Sequence, residues 1–441
     1  MTGDAEAGGT AAGETEAGGT EAGGLAEPRP LSVVIAPDSF KGSLTSVEVA
    51  QALAAGWRRA RPEDRILLAP LADGGEGTLV AIEAAGGWIE QRTIVQGPNF
   101  HPTAARWLRS EDGGRAVVEL AQASGLSLVD PWERRPLHAS TVGTGEVLAA
   151  VLDAGIRRIT LGIGGSATTD GGWGILHALG VRWVGEMPSG GSGDVPAWNP
   201  AELSLDELDP RLAAVDLRIA CDVTNPLLGP SGAAATYGPQ KGADPDTVVA
   251  LEALLVRFAD ALEAVTGRQE RETPGAGAAG GTAFGLLCLR DRFRSLELVP
   301  GVDLVAEETD LAGKLQGADL VITGEGRIDA QTAFGKTALG VARRAAEAGI
   351  GCIAVGGSIQ PAGIEALAAF GAVAGSVMEG PATIEEAMAA GTAPVQRCGE
   401  RIARLVGMGR TNVTRPARHR AEHLSAIVRE DADLGRRPGS E

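Results

Sequence analysis

Several polar stretches each follow a short apolar run, and the residues of the first suit a charged ligand. In APDSFKGSLTS, Asp38, Ser39 and Lys41 come directly after the run LSVVI. In an open α/β sheet, the positions beyond the strand ends form the crevice where ligands bind. Alternatively, Asp38 and Ser39 cap local amides and Lys41 is solvated, while Ser43 or Thr45 caps the next helix. This stretch is therefore a candidate catalytic segment with a local structural alternative.

The stretch PLADGGEGT sets two carboxylates around a pair of glycines. Asp73 and Glu76 lie just before the predicted helix TLVAIEAAG. Carboxylates in this arrangement either bind Mg²⁺, directly or through water, or cap the first amides of the helix. The sequence predicts a metal-binding role for Asp73, and helix capping is the alternative.

The stretch GIGGSATTDGG follows the run RRITL and combines glycines with hydroxyls and one carboxylate. The backbone amides of Gly164, Gly165 and Ser166 could converge on a phosphate, with a helix dipole behind them. Thr168 adds a hydroxyl donor, whereas the Asp170 carboxylate would repel an anion unless a metal or a proton intervenes. Asp170 is therefore predicted to be a metal ligand, a general base or an N-cap. Because the chain has 64 glycines among 441 residues, a flexible turn is the alternative.

The stretch ACDVTNPLLGPSGAAATYGPQKGA places oxygen ligands and a cation after the apolar run DLRIA. Asp222 and Asn225 come first, and Lys241 follows a segment rich in glycine and alanine. Oxygen ligands, a cation and exposed amides suit a phosphoryl group. Cys221 is interpreted as a small buried hydrophobe, because no histidine stands near it in the sequence.

The stretch ITGEGRIDAQTAFGKTALG supplies two acids and two bases after the predicted strand DLVIT. These residues are Glu325, Asp329, Arg327 and Lys336. The segment AQTAFGKT resembles a Walker A loop, but Ala330 occupies the position of the first glycine and GEGRID separates the segment from the strand. A true P-loop is therefore not expected here.

Short apolar runs alternate with alanine-rich segments of helical period, which indicates βαβ units and a largely parallel sheet. The region RTIVQGPNFHPTAARWLRSEDGGRAVVEL differs, since turns separate alternating strands as in antiparallel hairpins. The predicted fold is α/β, with a Rossmann-like domain and a second, smaller α/β domain inserted in it. The predicted boundaries are a disordered tail at 1–30, the Rossmann-like domain at 31–85 and 300–409, the inserted domain at 86–299 and a polar tail at 410–441.

Composition excludes several classes of protein. The formal net charge of −18 opposes binding to nucleic acid and to anionic membranes. No apolar run approaches the roughly 20 residues that span a bilayer, and the four cysteines lie far apart without zinc spacing. We expect a cytoplasmic protein with small-molecule partners.

Six of these stretches, in order and with compatible spacing, resemble the bacterial type-1 glycerate kinase family. They are VIAPDSFKGSL, PLADGGEGT, GIGGSATTDGG, CDVTNPLLGPSGAAATYGPQKGA, PGAGAAGGTAFGL and ITGEGRIDAQTAFGK. The resemblance covers the chain from about Leu31 to Val413. It places the glycine stretch at residues 162–172 among the signature blocks of the family.

The resemblance implies transfer of the γ-phosphoryl group of ATP to a hydroxyl of D-glycerate with Mg²⁺, and 2-phosphoglycerate is favoured over 3-phosphoglycerate as product. We expect a monomer or a homodimer. The candidate catalytic residues are Asp170, Asp38 and Lys41, and the candidate metal ligands are Asp73, Asp222, Glu325 and Asp329. The candidate substrate- and phosphate-binding residues are Ser39, Gly164, Gly165, Ser166, Thr168, Asn225, Lys241, Arg327 and Lys336.

Two other functions compete with this interpretation. An NAD-dependent dehydrogenase would carry G-x-G-x-x-G in the first βα turn, where this chain has APDSFKGS. A non-catalytic sugar-acid-binding protein would have lost the acids and lysines of the site, and this chain retains them. A kinase acting on a related hydroxy acid is a further alternative.

Overall fold

The structure is a computed structural model that describes residues 29–184, 202–330, 332 and 337–411. Nearly all of the two predicted tails lies outside the described residues, as does Lys336. In the described part of the chain, no helix is both long enough and apolar enough to cross a membrane.

Strands and helices alternate along most of the described chain. The strands are β1 (Ser32–Pro37), β2 (Arg65–Leu68), β3 (Trp88–Gln96), β4 (Pro102–Ser110), β5 (Arg115–Glu119), β6 (Arg158–Gly162), β7 (Arg182–Trp183), β8 (Leu203–Ser204), β9 (Asp216–Ala220), β10 (Ser295–Val299), β11 (Leu320–Ile328), β12 (Gly351–Ile359) and β13 (Val373–Ser376). The helices are α1 (Ser46–Ala60), α2 (Thr78–Ala85), α3 (Ala121–Ser124), α4 (Val142–Asp153), α5 (Trp173–Ala178), α6 (Ala233–Tyr237), α7 (Pro245–Thr266), α8 (Ala278–Cys288), α9 (Gly301–Glu308), α10 (Leu311–Leu315), α11 (Thr337–Glu347), α12 (Pro361–Ala368), α13 (Ile384–Ala389) and α14 (Ala393–Thr411).

The first sheet has five parallel strands in the order β13-β12-β11-β1-β2. The central strand β1 is buried on both faces, as parallel strands covered by helices are. Its residues Val33 and Ile35 belong to the core formed with α1 and α14, whereas Val34 and Ala36 belong to the core on the opposite face. The predicted α/β class with a largely parallel sheet is therefore confirmed.

The second sheet comes from the chain between α2 and α9 and has six strands in the order β10-β9-β6-β5-β4-β3. Strands β3, β4 and β5 pair in antiparallel fashion, as the turn-rich hairpin pattern predicts, and the remaining pairs are parallel. The predicted boundaries at 85/86 and 299/300 fall between α2 and β3 and between β10 and α9.

An apolar core joins the two sheets. Leu108 of β4 and Val117 of β5 lie in the same buried cluster as Leu79 of α2, Val305 of α9 and Val34 of β1. Helices α2 and α9 therefore contact both sheets, and this shared core determines how the strand ends of one sheet face those of the other.

Strand β11 is longer than the sequence predicts. The prediction ends the strand before GEGRID, but residues of this segment pair with β12, Glu325 with Gly356 and Arg327 with Ser358. Glu325 and Arg327 therefore belong to a paired strand end and not to a free turn. The prediction was wrong because the partner strand, 31 residues away in the chain, decides where a parallel strand ends.

The amino end of α2 is capped by a carboxylate from the second sheet. Glu119, at the end of β5, accepts hydrogen bonds from the Gly77 and Leu79 amides at 3.1 and 3.3 Å. These amides begin a helix and have no intrahelical partners. Burial raises the pKa of Glu119 to about 7, and the two amide hydrogen bonds oppose this shift.

We expect Glu119→Gln to flatten the dependence of stability on pH. Glu119 ionises near 4.5 in the unfolded chain and at about 7 in the folded protein, so ionisation in this window favours unfolding. Between pH 4.5 and 7.5, the free energy of unfolding of wild type should therefore fall by up to about 3 kcal/mol more than that of the variant. Denaturant titrations at both pH values measure this, with Glu111→Gln at an exposed turn as control. Equal losses in wild type and Glu119→Gln would contradict the prediction.

Candidate functional site

A cavity of about 1670 Å³ lies at the carboxyl ends of the five parallel strands and is closed on one side by the end of β9. Of the predicted site residues that the structure describes, seven line it, namely Asp38, Ser39, Lys41, Asp73, Asp222, Glu325 and Arg327. Crevices at the carboxyl edge of an open parallel sheet are the usual ligand sites of such folds. The cavity is therefore the candidate active site.

An ion pair between two loops of the first sheet lies in this cavity. Lys41, after β1, donates to Asp73 Oδ2, after β2, at 3.0 Å. The negative charge of Asp73 is the main cause that raises the pKa of Lys41. Both side chains remain exposed to the cavity, so the ammonium group can contact a bound anion.

Asp38 lies beside this pair and is more enclosed. Its Oδ1 accepts the Ser39 amide at 2.6 Å and its Oδ2 accepts the Thr337 hydroxyl at 2.7 Å. Burial raises the pKa of Asp38, the two hydrogen bonds oppose the shift, and the negative charge of Asp73 adds to it. Asp38 is therefore a carboxylate whose affinity for a proton exceeds that of an ordinary aspartate.

Asp222 reaches the cavity from the second sheet. It follows β9, and its Oδ1 accepts the amide of Gly301 at 2.8 Å. Enclosure by the cavity walls raises the pKa of Asp222, with further contributions from Asp73 and Asp303. Carboxylates from both sheets therefore face one another across the cavity.

The paired end of β11 contributes a carboxylate, Glu325, and a cation, Arg327. Glu325 is buried and its Oε1 accepts the Thr332 hydroxyl at 2.7 Å. Arg327 is 63% exposed and pairs with Asp329 at 2.9 Å. Asp329 is buried and does not line the cavity, so its predicted role as a metal ligand has no geometric support.

The glycine stretch at residues 162–172 packs against the loop that carries Asp73, outside the cavity. A Cβ atom on Gly164 would lie 2.4 Å from the Cα atom of Gly75, which only glycine avoids. Gly165 takes a φ of +73° and directs its carbonyl to the Leu126 amide at 2.8 Å. The structure therefore gives this stretch a packing role between the two sheets.

Asp170 lies at the base of the glycine stretch and is fully buried. Its carboxylate accepts four hydrogen bonds, from the amide and hydroxyl of Thr141 and from the amides of Gly172 and Gly174, at 2.8 to 3.2 Å. Burial raises the pKa of Asp170, and these hydrogen bonds oppose the shift. The structure does not bring Asp170 together with the acids of the cavity, and its contacts are those of a residue that shapes the loop.

Lys241 is buried beside Asp170. Its ammonium group donates to Ser166 Oγ at 2.9 Å and to the Thr168 carbonyl at 2.5 Å. Burial lowers the pKa of Lys241 to about 7, and the charge of Asp170 opposes this. Lys241, Ser166 and Thr168 therefore hold one another and do not line the cavity.

Asn225 also has partners within its own loop. Its amide group donates to the Ser231 carbonyl at 2.7 Å, and its oxygen accepts the Tyr237 hydroxyl at 2.8 Å. Its predicted contact with phosphate has no support from the cavity lining.

The donor set of the cavity fits a metal that arrives with a phosphorylated ligand. Among the described residues, no three histidine, cysteine, aspartate or glutamate side chains are close enough to hold a metal ion by themselves. Mg²⁺, however, is usually bound by one or two carboxylates together with substrate phosphates. Asp73 and Asp222, which influence each other electrostatically across the cavity, fit that second arrangement.

The polar residues of the cavity that the sequence analysis missed include Asp303, Thr337, Arg343, Ser358, Gln360 and Thr383. Thr337 and Arg343, together with Gly340, recur at a spacing of three along α11, which places them on one helical face. This spacing is a signal that the sequence contains. Asp303 pairs with Arg344 at 2.6 Å and lies 4.0 Å from Arg343, a contact that only the folded chain shows.

Comparisons with known proteins agree with one another. A family model described as the glycerate kinase family matches residues 33–407. A glycerate kinase from Halalkalibacterium halodurans is 43% identical over 376 residues, which cover 84% of this chain and 97% of that protein. A glycerate 2-kinase from Escherichia coli is 39% identical over 386 residues, which cover 87% of this chain and 100% of that protein. A crystal structure from Salmonella typhimurium, described as a glycerate kinase 2, matches with a TM-score of 0.73 at 38% identity, covering 87% of this chain and 100% of that chain.

We expect Asp170→Ala to act first on stability. Removing this buried carboxylate leaves the Thr141, Gly172 and Gly174 donors without their acceptor. Each buried donor left unsatisfied costs about 1–3 kcal/mol, so the total loss should exceed about 3 kcal/mol. Asp153→Ala is the matched control, because its carboxylate is 71% exposed and forms a surface ion pair with Arg211. Such pairs contribute at most about 1 kcal/mol. Denaturant titration measures both. A variant as stable as wild type but without activity would instead return Asp170 to a catalytic role.

Proposed function

Since this chain belongs to the glycerate kinase family, we propose that its cavity transfers the terminal phosphoryl group of ATP to the 2-hydroxyl of D-glycerate. The family resemblance and the kinase activity predicted from the six stretches are confirmed by the comparisons. The nucleotide, the metal, the hydroxyl that reacts and the residue roles belong to the proposal.

The main support for this proposal is that one cavity brings together Lys41, Asp38, Asp73 and Asp222. Phosphoryl transfer involves little covalent chemistry on the protein and depends on positioning and on neutralising charge. A cation, an enclosed carboxylate and two facing carboxylates supply those functions at the carboxyl edge of the sheet. The sequence-predicted residues outside the cavity are assigned supporting roles.

Each residue of this centre has a distinct proposed role. Lys41, exposed to the cavity, contacts the oxygens of the transferred phosphoryl group and offsets their charge. Asp38 accepts the proton of the attacking hydroxyl, because its raised pKa brings it closer to the pH at which it works. Asp222 approaches from the second sheet, so the acceptor can be held between the sheets.

Asp73 and Asp222 are the residues that would hold Mg²⁺ with the nucleotide. Bound there, the ion would neutralise phosphate charge and orient the phosphate chain. The carboxylates would in turn be relieved of their mutual repulsion, which contributes to the raised pKa of Asp222. Glu325 lines the same cavity, and its metal role stays a prediction of the sequence analysis.

We choose the 2-hydroxyl because one relative, which matches 87% of this chain, is named glycerate 2-kinase. A cytoplasmic location, and a monomeric or homodimeric state, stay predictions of the sequence analysis.

A coupled assay tests the reaction and the position of transfer. Purified protein with ATP, Mg²⁺ and D-glycerate should give a signal through enolase without added phosphoglycerate mutase, because enolase consumes 2-phosphoglycerate directly. A signal that requires the mutase would identify the 3-hydroxyl as the acceptor. Silence in both assays, from protein shown to be folded, would reject glycerate phosphorylation and favour another hydroxy acid or a binding function.

Two substitutions test the residue roles. We expect Lys41→Met to lower kcat by roughly 10²–10³-fold, as loss of a charge-stabilising donor does. Arg404→Met is the matched control, since this cation is 69% exposed on α14 and forms an ion pair with Glu400 outside the cavity. A Lys41→Met variant with a kcat within a few-fold of wild type would remove Lys41 from the centre.

We expect Asp38→Asn to lower kcat by roughly 10²–10⁴-fold, as loss of a general base does. In wild type, activity should fall as the pH drops through the raised pKa of Asp38, because only the ionised form accepts a proton. The variant should lose this limb of the pH–kcat profile. A variant that keeps the acidic limb at the same position would assign the limb to another group.

A further inference from the structure

The cavity has an apolar wall in addition to its charged centre. This wall is formed by Leu44, Met378, Met388 and Val395. It is separate from the charged side chains of Lys41, Asp38, Asp73 and Asp222. Leu44 and Val395 belong to the buried core between the first sheet and helices α1 and α14, and Met378 packs against that core. The wall is therefore rigidly supported from behind.

One turn connects this wall to the charged centre. In the turn 40–44, the Phe40 amide donates to the Leu44 carbonyl at 2.8 Å, and Lys41 on the same turn pairs with Asp73. Gly42 takes a φ of +78° at the middle of the turn, and Met388 Cε lies 3.1 Å from the position of a Cβ on Gly42. A ligand that contacts Lys41 thus has the apolar wall next to it.

Met388 is left 43% exposed at the cavity. An apolar side chain that faces a cavity gains free energy when a ligand covers it. Methionine also makes favourable contacts between its sulfur and the edge or face of an aromatic ring. Met378 and Met388 therefore suit a flat aromatic group better than they suit a small hydroxy acid.

The dimensions of the sheet edge agree with an extended ligand. Neighbouring strands lie about 4.8 Å apart, so about 14 Å separates the end of β1, which carries Lys41, from the end of β13, which carries Met378. Glycerate is too short to contact both positions. A nucleotide has an aromatic base at one end and phosphates at the other, which matches the separation of Lys41 from Met378 at the far end of the apolar wall.

We propose that the wall of Leu44, Met378, Met388 and Val395 binds the base of the phosphoryl donor, while Lys41 contacts its phosphates. This inference rests on the proposed function, in which ATP is the donor, and assigns the residues that hold its base through apolar contacts. The acceptor then occupies the side of the cavity that faces Asp222.

The test measures binding of ADP and of inorganic tripolyphosphate to the full chain by calorimetry without glycerate. Met378→Ala and Met388→Ala should each weaken ADP binding by roughly tenfold, the loss expected for one sulfur–aromatic contact together with buried apolar area. Tripolyphosphate has no base, so its Kd should change by less than about twofold. Met388→Leu, which keeps an apolar side chain, should stay within about threefold of wild type for ADP.

Met408→Ala is the matched control, because Met408 is 55% exposed on α14 and does not line the cavity. Unchanged ADP binding in both methionine variants would overturn the proposal. An equal loss for ADP and tripolyphosphate would overturn it as well, since it would indicate general damage to the cavity.

Steady-state kinetics separates this inference from the proposed function. The two variants should raise the KM for ATP by roughly tenfold and leave the KM for D-glycerate unchanged. A raised KM for glycerate alone would place the acceptor at the wall and reject the proposal. If wild type binds ADP through the methionines but does not phosphorylate glycerate, the nucleotide subsite stands and the proposed acceptor is wrong.

Discussion

The arrangement of the site depends on a close approach of backbone to backbone where the two sheets meet. The loop that carries Asp73 passes between Gly164 on one side and Gly301 on the other. A Cβ on Gly164 would lie 2.4 Å from Gly75 Cα, and one on Gly301 would lie 2.0 Å from the Asp73 carbonyl oxygen. Side chains at these positions would force the loops apart. The absence of two Cβ atoms thus determines where Asp73 lies.

Polar contacts across the same junction complete it. Glu119 from the second sheet caps the helix that follows the Asp73 loop, and the amide of Gly301 binds Asp222. The apolar core shared by Leu108 and Val305 supports both contacts from below. Carboxylates from two sheets are therefore brought to one cavity by interactions that do not themselves face it.

Asp170 and Lys241, which are both buried, show how far burial changes the role of a charged residue. Both residue types suit catalysis, and both lie in stretches characteristic of the family. The Asp170 carboxylate accepts four hydrogen bonds, and Lys241 donates to Ser166 Oγ and the Thr168 carbonyl. Charges buried in this way are costly unless paired and hydrogen-bonded, so such a network specifies one loop conformation.

The sequence by itself determined the alternation of strands and helices, the antiparallel hairpins after α2 and the family, because periodicity and short motifs are local properties. It also predicted Asp38, Lys41, Asp73 and Asp222 as site residues, since each follows an apolar strand. Only the tertiary structure decided that these four share a cavity while Asp170 is buried apart from them. The physical reason is that burial and the pairing of strand ends depend on residues far apart in the chain, such as Gly75 with Gly164.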